Sequence, residues 1–142
     1  MESHEDFILK ALSKQTIKHQ NTPKYSTDEL RAIIEKAKEE LPPLFKALSQ
    51  KYSFPVKRFS LTKAHSFWGI CTYNNCIRLS VSVVTLPMEL RRYIILHELV
   101  HTLHHNHSPR FHQKLNELLN GKEKEYIRMM KQYKTINFGS SL

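Results

Sequence analysis

The spacing of apolar residues along the chain changes period several times, and each change marks an element. Leu30, Ile33, Ile34, Ala37 and Leu41 recur every three or four positions, which is the period of one helical face. Thr27 stands ahead of Asp28 and Glu29. That order predicts Thr27 as the N-cap, with two acids at the positive end of the helix dipole. Pro42 and Pro43 predict a break, because proline lacks the N–H and crowds the preceding turn. A second helical piece is then expected from about Leu44 to Tyr52.

The pattern next turns to β character. Val56 to Lys63, Ser66 to Tyr73 and Cys76 to Val84 are rich in β-branched and aromatic residues and read as strands. Asn74 and Asn75 lie between the last two and tolerate the positive φ of a tight turn, so the pair predicts a hairpin. From Met88 to Leu103 the pattern is helical again, opened by Leu86-Pro87 with the proline at the first position. Here Leu90, Tyr93, Ile94, Ile95, Leu96, Leu99, Val100 and Leu103 make the helix apolar almost all round, so it should be buried on most sides. Asn106 is expected to end this stretch in a left-handed turn. Ser108 should cap a following helix with Pro109 at its first position and Phe111, Leu115 and Leu118 as its stripe. Gly121 should end it, before a last amphipathic helix from Glu123 to Tyr133. Residues 1–24 are expected to be an N-terminal arm, helical over 4–19, and residues 25–142 the domain proper.

The apolar coat of the Met88–Leu103 helix is broken mainly by His97, Glu98 and His101. Residues four apart share a helical face, with Cβ atoms roughly 5 to 6 Å apart, so two imidazoles can converge on one zinc. Glu98 follows the first of them and suits the general base that takes a proton from water. Composition alone yields about 0.04 such pentapeptides by chance, so His97-Glu98-Leu99-Val100-His101 is suggestive rather than decisive. Its apolar surroundings raise the case, since buried His and Glu are costly unless paired or metal-bound.

A catalytic zinc needs a third protein ligand and an open position. His104 is seven residues beyond His97, about 10.5 Å along the axis at the helical rise, and too far to complete the site. A ligand has to come from beyond a turn. His107 is the choice and His105 the next, while His104 and His105 otherwise face solvent or support the ligands. His112, Arg110 and Trp68 are further candidates for substrate contact or support, with packing the better reading of Trp68. Arg110, Tyr126 and Tyr133 are candidates for stabilising an oxyanion, with no choice among them.

These motifs, in order, resemble one family. Trp68-Gly69-Ile70-Cys71, Ile77-Arg78-Leu79, Leu86-Pro87, the His97–His101 pentapeptide and Asn106-His107-Ser108-Pro109-Arg110-Phe111 are similar to the YgjP-like metallopeptidases, relatives of the SprT-like and WLM zinc proteases. The likeness runs from about Tyr25 to Tyr133. It implies a small α+β zincin fold, a short sheet packed on a buried active-site helix with flanking helices. It also implies one Zn²⁺ per chain on His97, His101 and His107, with Glu98 as base and a peptide as substrate. The family usually has Arg-Trp-Gly-Ser-Cys where this chain has Phe67 to Cys71, and Trp where His112 stands.

Charge adds a second line. The chain of 142 residues carries a net +9, and Leu41 to Asn116 holds ten Lys and Arg against only Glu89 and Glu98. A field of this sign favours an anionic partner such as nucleic acid or a nucleotide. That keeps open a nucleotide or phosphoanhydride hydrolase, or a zinc-containing nucleic-acid-binding module. No apolar run is long enough to cross a bilayer, and the acidic N-terminus lacks the start of a signal peptide, so a cytoplasmic monomer is expected. Two cysteines, Cys71 and Cys76, are too few for a thiolate zinc site and are expected to stay reduced.

Overall fold

The computed structural model describes residues 25–139. The helical expectation for 4–19 lies outside them. The described elements are α1 (Thr27–Lys51), β1 (Arg58–Thr62), β2 (Gly69–Cys71), β3 (Cys76–Ser80), a 3₁₀ helix (Val81–Thr85), α2 (Met88–His101), α3 (Pro109–Leu118) and α4 (Glu123–Met130). This is the expected α+β domain with a short sheet and flanking helices. No helix among the described residues is long and apolar enough to cross a membrane.

The cap of α1 is Ser26, with Thr27 the first helical residue. Ser26 Oγ accepts from the Glu29 N–H at 3.1 Å, and Glu29 Oε1 accepts from the Ser26 N–H at 2.8 Å. This reciprocal box satisfies two end donors, which Thr27 with its partner at position 30, a leucine, cannot do. The same bonds, the backbone one foremost, hold the Glu29 carboxyl below its usual pKa.

The expected break at Pro42 and Pro43 does not occur; α1 runs through both. Ala37, Leu41 and Phe45 are buried at successive four-residue steps, with half-buried Leu48 next, so one apolar stripe spans the prolines. The carbonyls left without an N–H partner belong to Lys38 and Glu39, on the exposed side where water can reach them.

The sheet order is β1-β3-β2. β1 pairs with β3 in parallel, Arg58 opposite Cys76 through Thr62 opposite Ser80. β2 pairs antiparallel, Gly69 opposite Leu79 and Cys71 opposite Ile77. The hairpin turn is as expected: Asn75 has φ +67°, and its N–H donates to the Thr72 carbonyl at 3.0 Å. On the inner face Ile77 and Leu79 are buried, while Arg78 faces solvent between them.

β3 stops at Ser80, four residues short of the expected end at Val84. Ser80 Oγ accepts from the Ser82 N–H at 3.1 Å and donates to the Ala64 carbonyl at 3.1 Å, which turns the chain into the 3₁₀ helix. That turn sinks Val81, Val83 and Val84 into the core against α1, a burial a continuing strand would give only to alternate residues.

Pro87 is the N-cap of α2, one position before the first-turn place expected of it, and it offers no side-chain cap. Arg91 joins this end to its neighbours. Its guanidinium donates to the Leu86 carbonyl at 2.8 Å and the Val84 carbonyl at 2.7 Å, and pairs with Glu40 of α1 at 2.9 Å. From Tyr93 to His101 every residue of α2 is buried, as its apolar pattern requires. The helix ends at His101 rather than Leu103, and Asn106 is not left-handed; among the described residues the non-glycine positions with positive φ are Ser53, Asn75 and Asn120. The turn back begins at Thr102, four residues before Asn106, with the Thr102 and Leu103 N–H groups bonded three residues back to Leu99 and Val100. α3 is capped by Ser108 with Pro109 at its start, as expected, and α4 ends at Met130, three residues before Tyr133.

Candidate metal centre

Two elements bring the site together. α2 supplies His97, Glu98 and His101 from its last two turns, and the irregular run after it supplies His107. One ring nitrogen from each of His97, His101 and His107 lies within 4.8 Å of the other two. His97 and His101 are buried and His107 is half-buried. Phe111, fully buried on the first turn of α3, packs its ring 4.4 to 5.1 Å from all three imidazoles and forms an apolar floor beneath them. The sequence places Phe111 on the α3 stripe; its contact with the histidines comes only with the fold.

The donor set suits a metal ion of the zinc class. His101 Nδ1 lies 3.1 Å from the His104 carbonyl, which can only accept, so Nδ1 carries the hydrogen and Nε2 keeps its lone pair. Burial first, and then the neighbouring His97, lower the His101 pKa to about 4 against the opposing pull of Glu98, so this imidazole is neutral at pH 7. Neutral imidazole is the form that ligates. A metal-bound histidine commonly gives its other N–H to a carbonyl or carboxylate, and His101 already does so.

Glu98 is buried, and its Oε2 lies 3.1 Å from His97 Nδ1. With the hydrogen on Nδ1 donated to this carboxylate oxygen, the nitrogen that His97 would offer a metal is Nε2. The Glu98 side chain packs directly against the backbone of β2. A Cβ on Gly69 would come 3.0 Å from Glu98 Cγ and 3.3 Å from Leu79 Cδ1, so this position admits no larger residue without displacement. Gly69 is thus part of the carboxylate's seat. Its signal in the sequence is a glycine inside a β pattern, which marks a close backbone approach.

The remaining sequence candidates scatter around this centre. Trp68 is 3% exposed and belongs to the core. His104 contributes its carbonyl, and its side chain lies outside the cluster. His105 Nε2 bonds to Asn75 at 2.8 Å. Arg110 is exposed on α3. His112 Nδ1 pairs with the buried Glu123 carboxylate at 2.7 Å, joining α3 to α4, and its ring lies 6.3 Å from that of His107. Tyr126 approaches the centre through Tyr93, whose ring lies 6.1 Å from His97. The Cys71 thiol is pushed up to about 12 by burial, with Glu98 and Cys76 adding, so it stays protonated and is no thiolate ligand. Both cysteines are free.

A buried helix carrying two histidines and a glutamate, a third histidine after the turn and a short sheet against the carboxylate define a small zincin-like α+β domain. The chain belongs to the YgjP-like family: the YgjP-like, metallopeptidase domain model matches residues 2–133. No curated protein and no solved structure matches it.

Proposed function

We propose that the protein is a zinc-dependent peptidase with His97, His101 and His107 as the metal ligands and Glu98 as the general base. The observation that carries this reading is the convergence of three imidazoles beside a buried carboxylate. Three nitrogen donors favour zinc over Mg²⁺ or Ca²⁺, which prefer oxygen. When bound, zinc lowers the pKa of a water to about 7 and polarises a carbonyl.

The chain's own groups supply the rest. The Glu98 carboxylate takes a proton from the attacking water and returns it to the departing amine. The Gly69 contact and the His97 hydrogen bond hold that carboxylate from two sides. β2 is an edge strand of the sheet, so an extended peptide can add to it and run past Glu98. That placement favours a peptide over other acyl or phosphoryl substrates.

A second reading is hydrolysis of a nucleotide phosphoanhydride, favoured by the excess of cations and by Arg58 and Arg78 exposed on the sheet. One panel decides between them. Zinc-loaded protein is offered casein and nucleoside triphosphates, with the Glu98→Gln variant as control. Peptide-bond cleavage lost in the variant supports the peptidase; triphosphate turnover lost in the variant, with casein intact, overturns it in favour of the second reading. No turnover of either removes both.

A further inference from the structure

We infer that Asn75 and His105 form a latch that positions the loop carrying the third ligand, a role distinct from the turn Asn75 makes in the hairpin. The inference rests on the metal-site reading above and assigns it two positioning residues. α2 holds His97 and His101 by its own hydrogen bonds, but it ends at His101. His107 lies six residues further along a run of turns and bends. Something outside the helix has to fix that run.

Asn75 reaches it from the turn between β2 and β3. Its Nδ2 donates to the Pro55 carbonyl at 3.0 Å and to the Thr102 carbonyl at 3.3 Å. Both partners can only accept, so the amide nitrogen must face them and Oδ1 must face His105. Oδ1 lies 2.8 Å from His105 Nε2, which therefore carries the hydrogen. The exposed Tyr73 stacks on the His105 ring at 4.9 Å and covers it from outside. One side chain thus ties Pro55 in the segment ahead of β1, the C-cap of α2 and the middle of the loop.

The two loop attachments, Thr102 and His105, bracket His104. The His104 carbonyl is the acceptor that orients His101. His107 follows His105 by two residues. Fixing the bracket therefore fixes one ligand's tautomer and the approach of another. A positive φ is met equally by glycine, so the turn does not require the amide; the three side-chain bonds are what only asparagine adds.

That separation gives the experiment. Asn75→Gly keeps the turn conformation and removes the amide. Zinc affinity, read by competition with a chelator, is expected to fall 10- to 100-fold, the range for losing a group that supports a ligand. His105→Ala should fall as far, and the double variant no further than either, because they break one device. His105→Gln, whose amide can donate to Oδ1, should recover most of the loss. Wild-type affinity in both Asn75→Gly and His105→Ala, with only the thermal midpoint lowered, would make the contact merely structural and overturn the inference. Failure of wild-type protein to bind zinc would instead remove the metal reading. In that case hydrogen exchange of amides 102–107 in the metal-free protein decides the latch alone: faster exchange in Asn75→Gly supports it, and unchanged exchange overturns it.

Discussion

The two halves of the histidine cluster are built by opposite means. On α2, the spacing of His97 and His101 is set by the helix itself, and every residue around them is buried. After α2, His107 sits on irregular backbone just ahead of the Ser108 cap of α3, and the run before it is tied, through His105, to a hairpin turn thirty residues away in sequence. The first half is rigid because each residue of a helix is held by its own ladder of hydrogen bonds. The second is only as rigid as the tertiary contacts that hold it. A site divided this way has a preset half and an adjustable half, and substitutions should separate them.

The largest separation is expected at the ligands. His107→Ala should weaken zinc binding by more than the roughly 100-fold that marks the loss of a supporting group, while His104→Ala leaves a backbone carbonyl in place and should change affinity little. Chelator competition measures both. Equal affinity in wild type and His107→Ala would move the third ligand elsewhere.

On the preset half, Glu98→Gln should lower turnover at least about 100-fold while zinc stoichiometry stays at wild type, since it removes a base and no ligand. Elemental analysis beside a turnover assay tests this. Loss of the metal together with activity would recast Glu98 as a support of His97.

Gly69→Ala probes the seam between helix and sheet. The added methyl meets Glu98 Cγ at 3.0 Å and Leu79 Cδ1 at 3.3 Å, so these side chains have to give by a few tenths of an ångström. Misplacement of a catalytic group by about 1 Å can cost on the order of 100-fold, so this smaller shift should lower turnover by less than that, with zinc affinity unchanged. Full activity in this variant would show that Glu98 has room the packing does not suggest.

The smallest effect concerns acid stability of the metal-free protein. The His101 pKa is lowered in the fold to about 4 from an ordinary value of 6.5, chiefly by burial. Between these values the unfolded chain binds the proton more readily, so stability is fullest above pH 6.5 and declines as pH falls toward 4. Denaturant midpoints after chelation should follow that decline, and His101→Gln should flatten it. An unchanged slope in the variant would assign the acid sensitivity to other groups.

How much of this was legible in the sequence follows the same division. The helical periods, the buried character of α2, the Asn74-Asn75 turn, the Ser108-Pro109 start and the His97–Glu98–His101 face all follow from spacing along a few residues, and each is present. Such features are local: the covalent chain fixes which side chains lie three, four or two residues apart. The expected break at Pro42 failed because the stripe from Ala37 to Phe45 packs on the core and the prolines sit where the freed carbonyls reach water. The strand beyond Ser80 failed because buried serines bond to Ala64 and Ile136, partners far away in sequence.

Within the site, local spacing alone put two histidines and a carboxylate on one helix and offered several histidines for the third corner. The fold alone brought His107 beside them, put Phe111 beneath all three rings, pressed Gly69 against Glu98 and carried the Asn75 amide to the loop. Each of these contacts closes a loop of the chain, and what makes a closure favourable is the packing of the whole core around it. No short window of sequence contains that core.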